Sequence, residues 1–413
     1  MVYAALSVQA AGLININLRM ILRAAYLALR EKQMPVIDAA RADAIQVIET
    51  LQQRYTPGVK EPDSEFSKEF FKKMTAGIGL PDNFEAEYQS NLLDVKKRMF
   101  SRYENPTWFM LVSQFSERIE KALDKQAPDK KRKKILFGTL HTGRINGVAI
   151  GTKNPEYYVI LLESGLFGFA NLLAKGVAQA FPQGEKKSDG SFSISTKMDK
   201  VKQNIQADDD IATRLVDLVM AYIVAGDPHA ARPYLPKKEY VALISIWRDA
   251  MEYFVLAHEY GHAVSGHLEA SPATATSEGN EIPSSWKEEF EADYVGLVTT
   301  LNILMEDRLS PSLTYAGVEA FFLGLELIER ALAVFQGREI REHGTASHPP
   351  AMMRREAMRH WLRQGLPEQE SKSAIQLADI FQEVIELIWP RLEATLREGQ
   401  RRGAQIHPMW TNY

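Results

Sequence analysis

No cysteine occurs among the 413 residues. Disulfides are thereby excluded, and so is any metal site built on thiolates. Long apolar runs are missing as well. A membrane helix needs roughly 18 apolar residues without charge. The two best stretches, 157–180 and 315–335, are interrupted by Glu163 and Lys175, and by Glu319, Glu326, Glu329 and Arg330. Residues 1–11 lack a basic segment followed by a long apolar one, so no signal peptide is expected. Charge of one sign does not dominate. Lys and Arg number 49 against 53 Asp and Glu, a net charge of −4, which offers no general surface for nucleic acid. No internal repeat is visible. What remains is the composition of an ordinary globular protein, 45% hydrophobic and 25% charged. These features predict a cytoplasmic chain with no membrane span, long enough for two domains.

Against this plain background one pentapeptide stands out: His258-Glu259-Tyr260-Gly261-His262, a match to H-E-x-x-H. The preceding residues 247–257 read as an amphipathic helix, with Phe254, Val255 and Leu256 beside Arg248, Asp249 and Glu252. Residues four apart share a helix face, so both imidazoles are placed to reach one ion. Glu259 follows the first histidine and points into the same cleft, where it can act as a base. Three fixed residues in five also occur by chance, so the motif needs further ligands to carry weight.

A catalytic zinc site usually has three protein ligands and one open position. The third is expected from the segment 286–296, which reads as a helix with Ser284 or Ser285 as N-cap. Glu289 and Asp293 lie four apart on one face. Glu289 is assigned to the metal and Asp293 to a hydrogen bond behind His258, because a ligating imidazole donates its other N–H to such a group. Glu288 and Glu291 compete, but Glu291 faces away from Glu289 on a helix of 3.6 residues per turn. The small residues Ala292 and Gly296 favour Glu289, since they allow this helix to approach the first closely.

These residues resemble the gluzincins, and among them the metallopeptidases that include the CaaX prenyl endopeptidase and the HtpX heat-shock protease. The resemblance rests on H-E-Y-G-H, then E-F-E-A-D, an upstream block from Ile145 to Gly151 and from Tyr158 to Leu166, and His348-Pro349-Pro350 with Arg354 downstream. Together the blocks span about residues 135–360. Two departures stand out: the family's membrane helices are absent, and about 90 residues separate Leu166 from His258. The resemblance implies a zinc-dependent endopeptidase acting on protein or peptide substrates. In it Zn²⁺ sits on His258, His262 and Glu289, and Glu259 is the general base. It further implies His348 as a donor to the oxyanion and Arg354 as a buttress for the ligand helix or the substrate. A strand at the cleft edge, Tyr158, Val159, Ile160 and Leu161 or its partner, would pair with an extended substrate. The competing reading is a gluzincin-shaped domain that is latent or non-catalytic and serves as a protein-binding or host-defence module. The intact Glu259 argues against it.

The expected fold is α+β and mostly helical, a zincin-like domain with a small sheet and two ligand helices. Residues 1–127 form an N-terminal helical region, 128–365 the catalytic domain, and 366–413 a C-terminal helix packed on the body. Helices are expected at 18–29, 36–55, 67–74, 88–103, 108–123, 211–225, 311–335 and 372–402, and strands at 135–140, 147–150 and 157–162. The basic run 130–134 reads as a solvated loop, and 269–285 as a loop between the ligand helices, a lid or a tolerated insertion. His229 reads as structural, and His267 and His343 as bystanders.

Overall fold

The computed structural model describes residues 39–55, 86, 90, 93–128, 131–154, 156–182, 194–269, 284–337 and 348–410. The helices expected at 18–29 and 67–74, His343, and nearly all of the loop 269–285 lie outside them. The described chain is mostly helical with one small sheet, in the order α1 (Ala39–Tyr55), α2 (Pro106–Gln126), β1 (Lys134–Leu140), β2 (Gly147–Gly151), β3 (Tyr157–Glu163), α3 (Ser164–Ala180), α4 (Met198–Ala207), α5 (Asp209–Met220), α6 (Val241–Ser265), α7 (Ser284–Glu306), α8 (Pro311–Gln336), α9 (Ala351–Gly365) and α10 (Glu368–Arg401). Among the described residues, no helix is long and apolar enough to cross a membrane.

Two compact units result. The first holds the described parts of Ala11–Thr142 and Asn146–Ser164. The second holds Gly143–Ile145 and the described parts of Gly165–Tyr413. The strands thus group with the N-terminal helices, where composition had suggested a boundary near residue 127.

In the first unit the sheet order is β1-β3-β2, with β1 parallel and β2 antiparallel to β3. All seven residues of β3 are buried, as suits an apolar run covered on both faces. Ala40, Ala44 and Ile48 of α1 pack with Leu136, Leu140, Val159 and Leu161. Helix α2 starts where Asn105 caps it, its side chain accepting from the Thr107 and Trp108 amides, with Pro106 in the first turn. The buried Glu104 beside that cap takes hydrogen bonds from Gln52 and from the Thr139 amide. Two expectations are corrected here. Residues 93–96 are helical but 97–105 are turns and coil, so the helix expected at 88–103 is not continuous. Strand β3, with Tyr158, Val159, Ile160 and Leu161, is the middle strand, and its backbone groups already pair on both sides. It cannot add a substrate strand; its partner β2 lies at an edge of the sheet.

The second unit is built around α6. An apolar stripe would leave one face to solvent, but 247 through 261 are buried almost throughout, Glu252 included. A helix apolar nearly all round belongs inside. Trp247 stacks edge-on with Phe181 of the α3 C-terminal turn and with Phe381 of α10, ring centroids 5.4 and 4.6 Å away. Helix α8 crosses α6 closely at Gly317, where a Cβ would fall 2.7 Å from the Trp247 carbonyl oxygen. Among the described residues α7 begins at Ser284, and the residues just before it lie outside them.

Helix α9 is tied to α8 by buried charge. Glu319 accepts from Arg355 Nε at 2.9 Å, from Arg359 Nη2 at 2.7 Å and from the Tyr315 hydroxyl at 2.6 Å. Such a group stabilises only as a complete set, because removing one member strands the others in a dry interior. Glu319→Ala should therefore cost about 3–5 kcal/mol. A urea titration reads this as a lowered midpoint, and an unchanged midpoint would show that the arginines find other partners.

Candidate metal centre

Two helices bring the centre together, and they do so because small residues meet at their crossing. A Cβ on Gly261 would stand 2.7 Å from the Ala292 Cα, and one on Gly296 would stand 3.2 Å from the His258 amide nitrogen. Helices α6 and α7 therefore touch backbone to backbone at the level of the histidines, as Ala292 and Gly296 suggested.

His258 Nε2 and His262 Nε2 lie 3.2 Å apart. The Glu289 carboxylate faces both, 3.5 Å from His258 Nε2 and 3.4 Å from His262 Nε2. These three residues form a group that could hold a metal ion. The spacing suits one. Four ligands arranged tetrahedrally at about 2.0–2.1 Å from an ion are about 3.3 Å from each other. Glu289 Oε2 is buried and has no hydrogen-bond partner among the described residues. A buried carboxylate oxygen without a hydrogen bond is costly unless cations meet it; Arg354 Nη2 stands 3.7 Å away, and an ion at the shared point would be a second. The donor set, two imidazoles and one carboxylate, suits zinc.

The surroundings fix the orientation and charge of these groups. His258 Nδ1 is 2.9 Å from Asp293 Oδ1, so its N–H donates there and Nε2 is left free to face the shared point. Asp293 is fully buried and is gripped by Arg354, Nε to Oδ2 at 2.7 Å and Nη2 to Oδ1 at 2.5 Å. Arg354, from the first turn of α9, lies over the Phe322 ring at 4.9 Å and comes within 3.7 Å of Glu289 Oε2. Its ion pairs run to Asp293 and Glu289 of α7. His348 stands at the rim, its side chain half exposed and its Nε2 3.6 Å from Glu289 Oε1.

The electrostatics follow. Burial works to raise the Glu289 carboxyl, but the His262 hydrogen bond and the charges of His258, Arg354 and His348 outweigh it and hold it at about 2. Burial opposes charge on Asp293 too, and Arg354 with His258 overrides it, so this carboxyl also lies below its usual value. Glu259 behaves in the opposite way. Buried on α6, it is raised by desolvation more than His258 and His262 lower it, and Glu289 adds to the rise. Burial would lower His262, but the hydrogen bond to Glu289 and the charges of Glu259 and Glu289 lift it above the ordinary histidine value.

The structure thus brings together His258, His262, Glu289, Asp293, Arg354 and His348, with Glu259 buried on the same helix. Tyr158 to Leu161 belong to the other compact unit. His229 Nδ1 lies 2.9 Å from Asp227 Oδ1 in its own turn. His267 is no bystander: its Nδ1 meets His262 Nδ1 at 3.0 Å, and its Nε2 meets Glu291 at 3.0 Å. Helix periodicity placed it off the ligand face, but the helix ends at Ser265, and Gly266 at φ +83° turns the chain back. A glycine one residue past a helix is the signal that could have found it.

Two outcomes test the centre. Zinc affinity should fall as pH drops from about 8 to 5, since the imidazoles must be neutral to bind. The fall should begin above the ordinary histidine value because His262 is raised, while Glu289, held at about 2, contributes nothing in that window. Competition titrations across this range would show it, and a flat profile would exclude histidine ligands. Gly261→Ala should cost about 1–3 kcal/mol by overpacking, exceeding the helix-propensity gain of about 1 kcal/mol, and should weaken zinc binding as the helices part. Greater stability, read by thermal melting, would contradict the backbone contact. No family model, curated protein or solved structure matches the chain.

Proposed function

We propose that the chain is a zinc-dependent endopeptidase of the gluzincin kind, with a zincin-like arrangement of α6 and α7 and with His258, His262 and Glu289 as ligands. The observation that carries this reading is the buried Glu289 carboxylate facing two imidazole nitrogens, Oε2 toward His258 and Oε1 toward His262, with Oε2 making no hydrogen bond and His258 backed by Asp293. A zinc ion there would act as a Lewis acid toward a scissile carbonyl and would make a water acidic enough to attack at neutral pH.

The side chains supply the rest. Glu259, buried on α6 with its carboxyl raised by desolvation, suits a base that must both take and return a proton. Its carboxylate accepts a proton from the attacking water as the oxygen–carbon bond forms. It then returns that proton to the departing amine nitrogen as the carbon–nitrogen bond breaks. His348, at the half-exposed rim, offers an N–H to the oxyanion from the open side. Asp293 and Arg354 keep His258 in one tautomer and one orientation while substrate binds and leaves. The substrate class is a protein or peptide.

Purified protein should carry one zinc per chain and should cleave peptides in a broad digest. Glu259→Gln should keep the zinc and lose about 10²–10⁴-fold in rate. Zinc without cleavage of any mixture would favour the latent or partner-binding reading. Absence of zinc would leave the histidines incidental.

A further inference from the structure

We infer that His267, backed by Glu291, is a positioning residue for the second histidine of the centre and does for His262 what Asp293 does for His258. The inference rests on the metal reading above and adds to it a residue outside the H-E-x-x-H motif.

The argument begins at the end of α6. Gly266 adopts a left-handed conformation, and its amide bonds to the His262 carbonyl. The His267 amide reaches the same carbonyl at 3.2 Å. A bond spanning these six residues is the closing bond of a Schellman turn, in which the residue after the glycine folds back over the last full turn. That contact is usually apolar. Here it is imidazole on imidazole, with ring centroids 5.1 Å apart and the planes at 69°. An apolar pair would have closed the turn equally well, so turn formation alone does not call for two histidines.

Proton accounting then gives the chain of bonds a direction. If His262 Nε2 faces an ion, that nitrogen carries no hydrogen, and the neutral ring must carry it on Nδ1. The nearest acceptor to that N–H is His267 Nδ1, at 3.0 Å. His267 can accept there only when its own hydrogen is on Nε2, and Nε2 lies 3.0 Å from Glu291 Oε2. Every donor meets one acceptor, and both rings stay neutral. The His267 side chain is largely buried while Glu291 is 65% exposed. The carboxylate thus selects the tautomer of His267 from the solvent side. Glu291 comes from α7, two residues after Glu289, so the ligand helix and the support of the opposite ligand move together.

The test compares zinc affinity, by chelator competition, in wild type, His267→Phe, His267→Asn and Glu291→Gln. Phenylalanine keeps the bulk and removes the acceptor; asparagine can present its side-chain oxygen close to the position of Nδ1. Loss of a group behind a ligating histidine typically weakens metal binding by about 10–100-fold. The expected result is that loss for His267→Phe, with most of it restored in His267→Asn. Glu291→Gln should weaken binding by less than about tenfold, and less still at high salt, because an exposed charge is screened. Melting of the metal-free forms should not separate Phe from Asn, whereas a purely structural role would. Wild-type affinity in His267→Phe, or equal loss in Phe and Asn, would overturn the role of His267 and leave the metal reading standing. Absence of zinc binding in the wild type would overturn the metal reading itself, and this inference with it.

Discussion

The backbone contact between α6 and α7 at Gly261 and Ala292 is the constraint from which the centre follows. Each helix alone presents groups that cannot settle in a dry interior: two imidazoles on one, a line of carboxylates on the other. Only when the axes come very close do the two sets meet at hydrogen-bonding and ligating distances. A methyl group at Gly261 would hold them apart. The residue between Tyr260 and His262 is thus as much a part of the centre as the histidines, although it bears no chemistry.

That approach creates a problem of charge, and the surrounding helices resolve it. Glu289 and Asp293 are both buried, on one face of α7. Arg354 answers Asp293 with two bonds and lies near Glu289. It is held in place because its neighbour Arg355 and, one turn on, Arg359 lock α9 to Glu319 of α8. Two buried ionic groups in series therefore connect the core of the unit to one imidazole. Buried ion pairs add little net stability compared with apolar packing, but they are intolerant of displacement. Here that intolerance falls on groups that must keep a fixed geometry.

Glu259 is treated in the contrary manner. It shares the burial of Glu289 and Asp293, but its charge is not compensated enough to bring its carboxyl below the ordinary value. Two carboxyls held below their ordinary values thus stand beside one pushed upward.

Much of this was legible in the linear chain. The spacing within 258–262 and 289–293, with small residues at 292 and 296, marked the side chains that the two helices bring together, because i to i+4 geometry is a property of a helix alone. Most of the long helices and all three strands were legible for the same reason, as periodicity is local. The middle place of β3 was not, since strand order depends on which segments pair across the fold. Nor was the burial of Glu252 or the discontinuity at 97–105. His267 shows the limit most clearly. Its distance from His262 along a helix predicts separation, yet one glycine ends the helix between them, and a residue on the neighbouring helix completes the pair. Local spacing thus determined which groups could serve, through the fixed geometry of the helix. Which of them meet was decided only by packing, because it depends on where helices stop and how closely they cross.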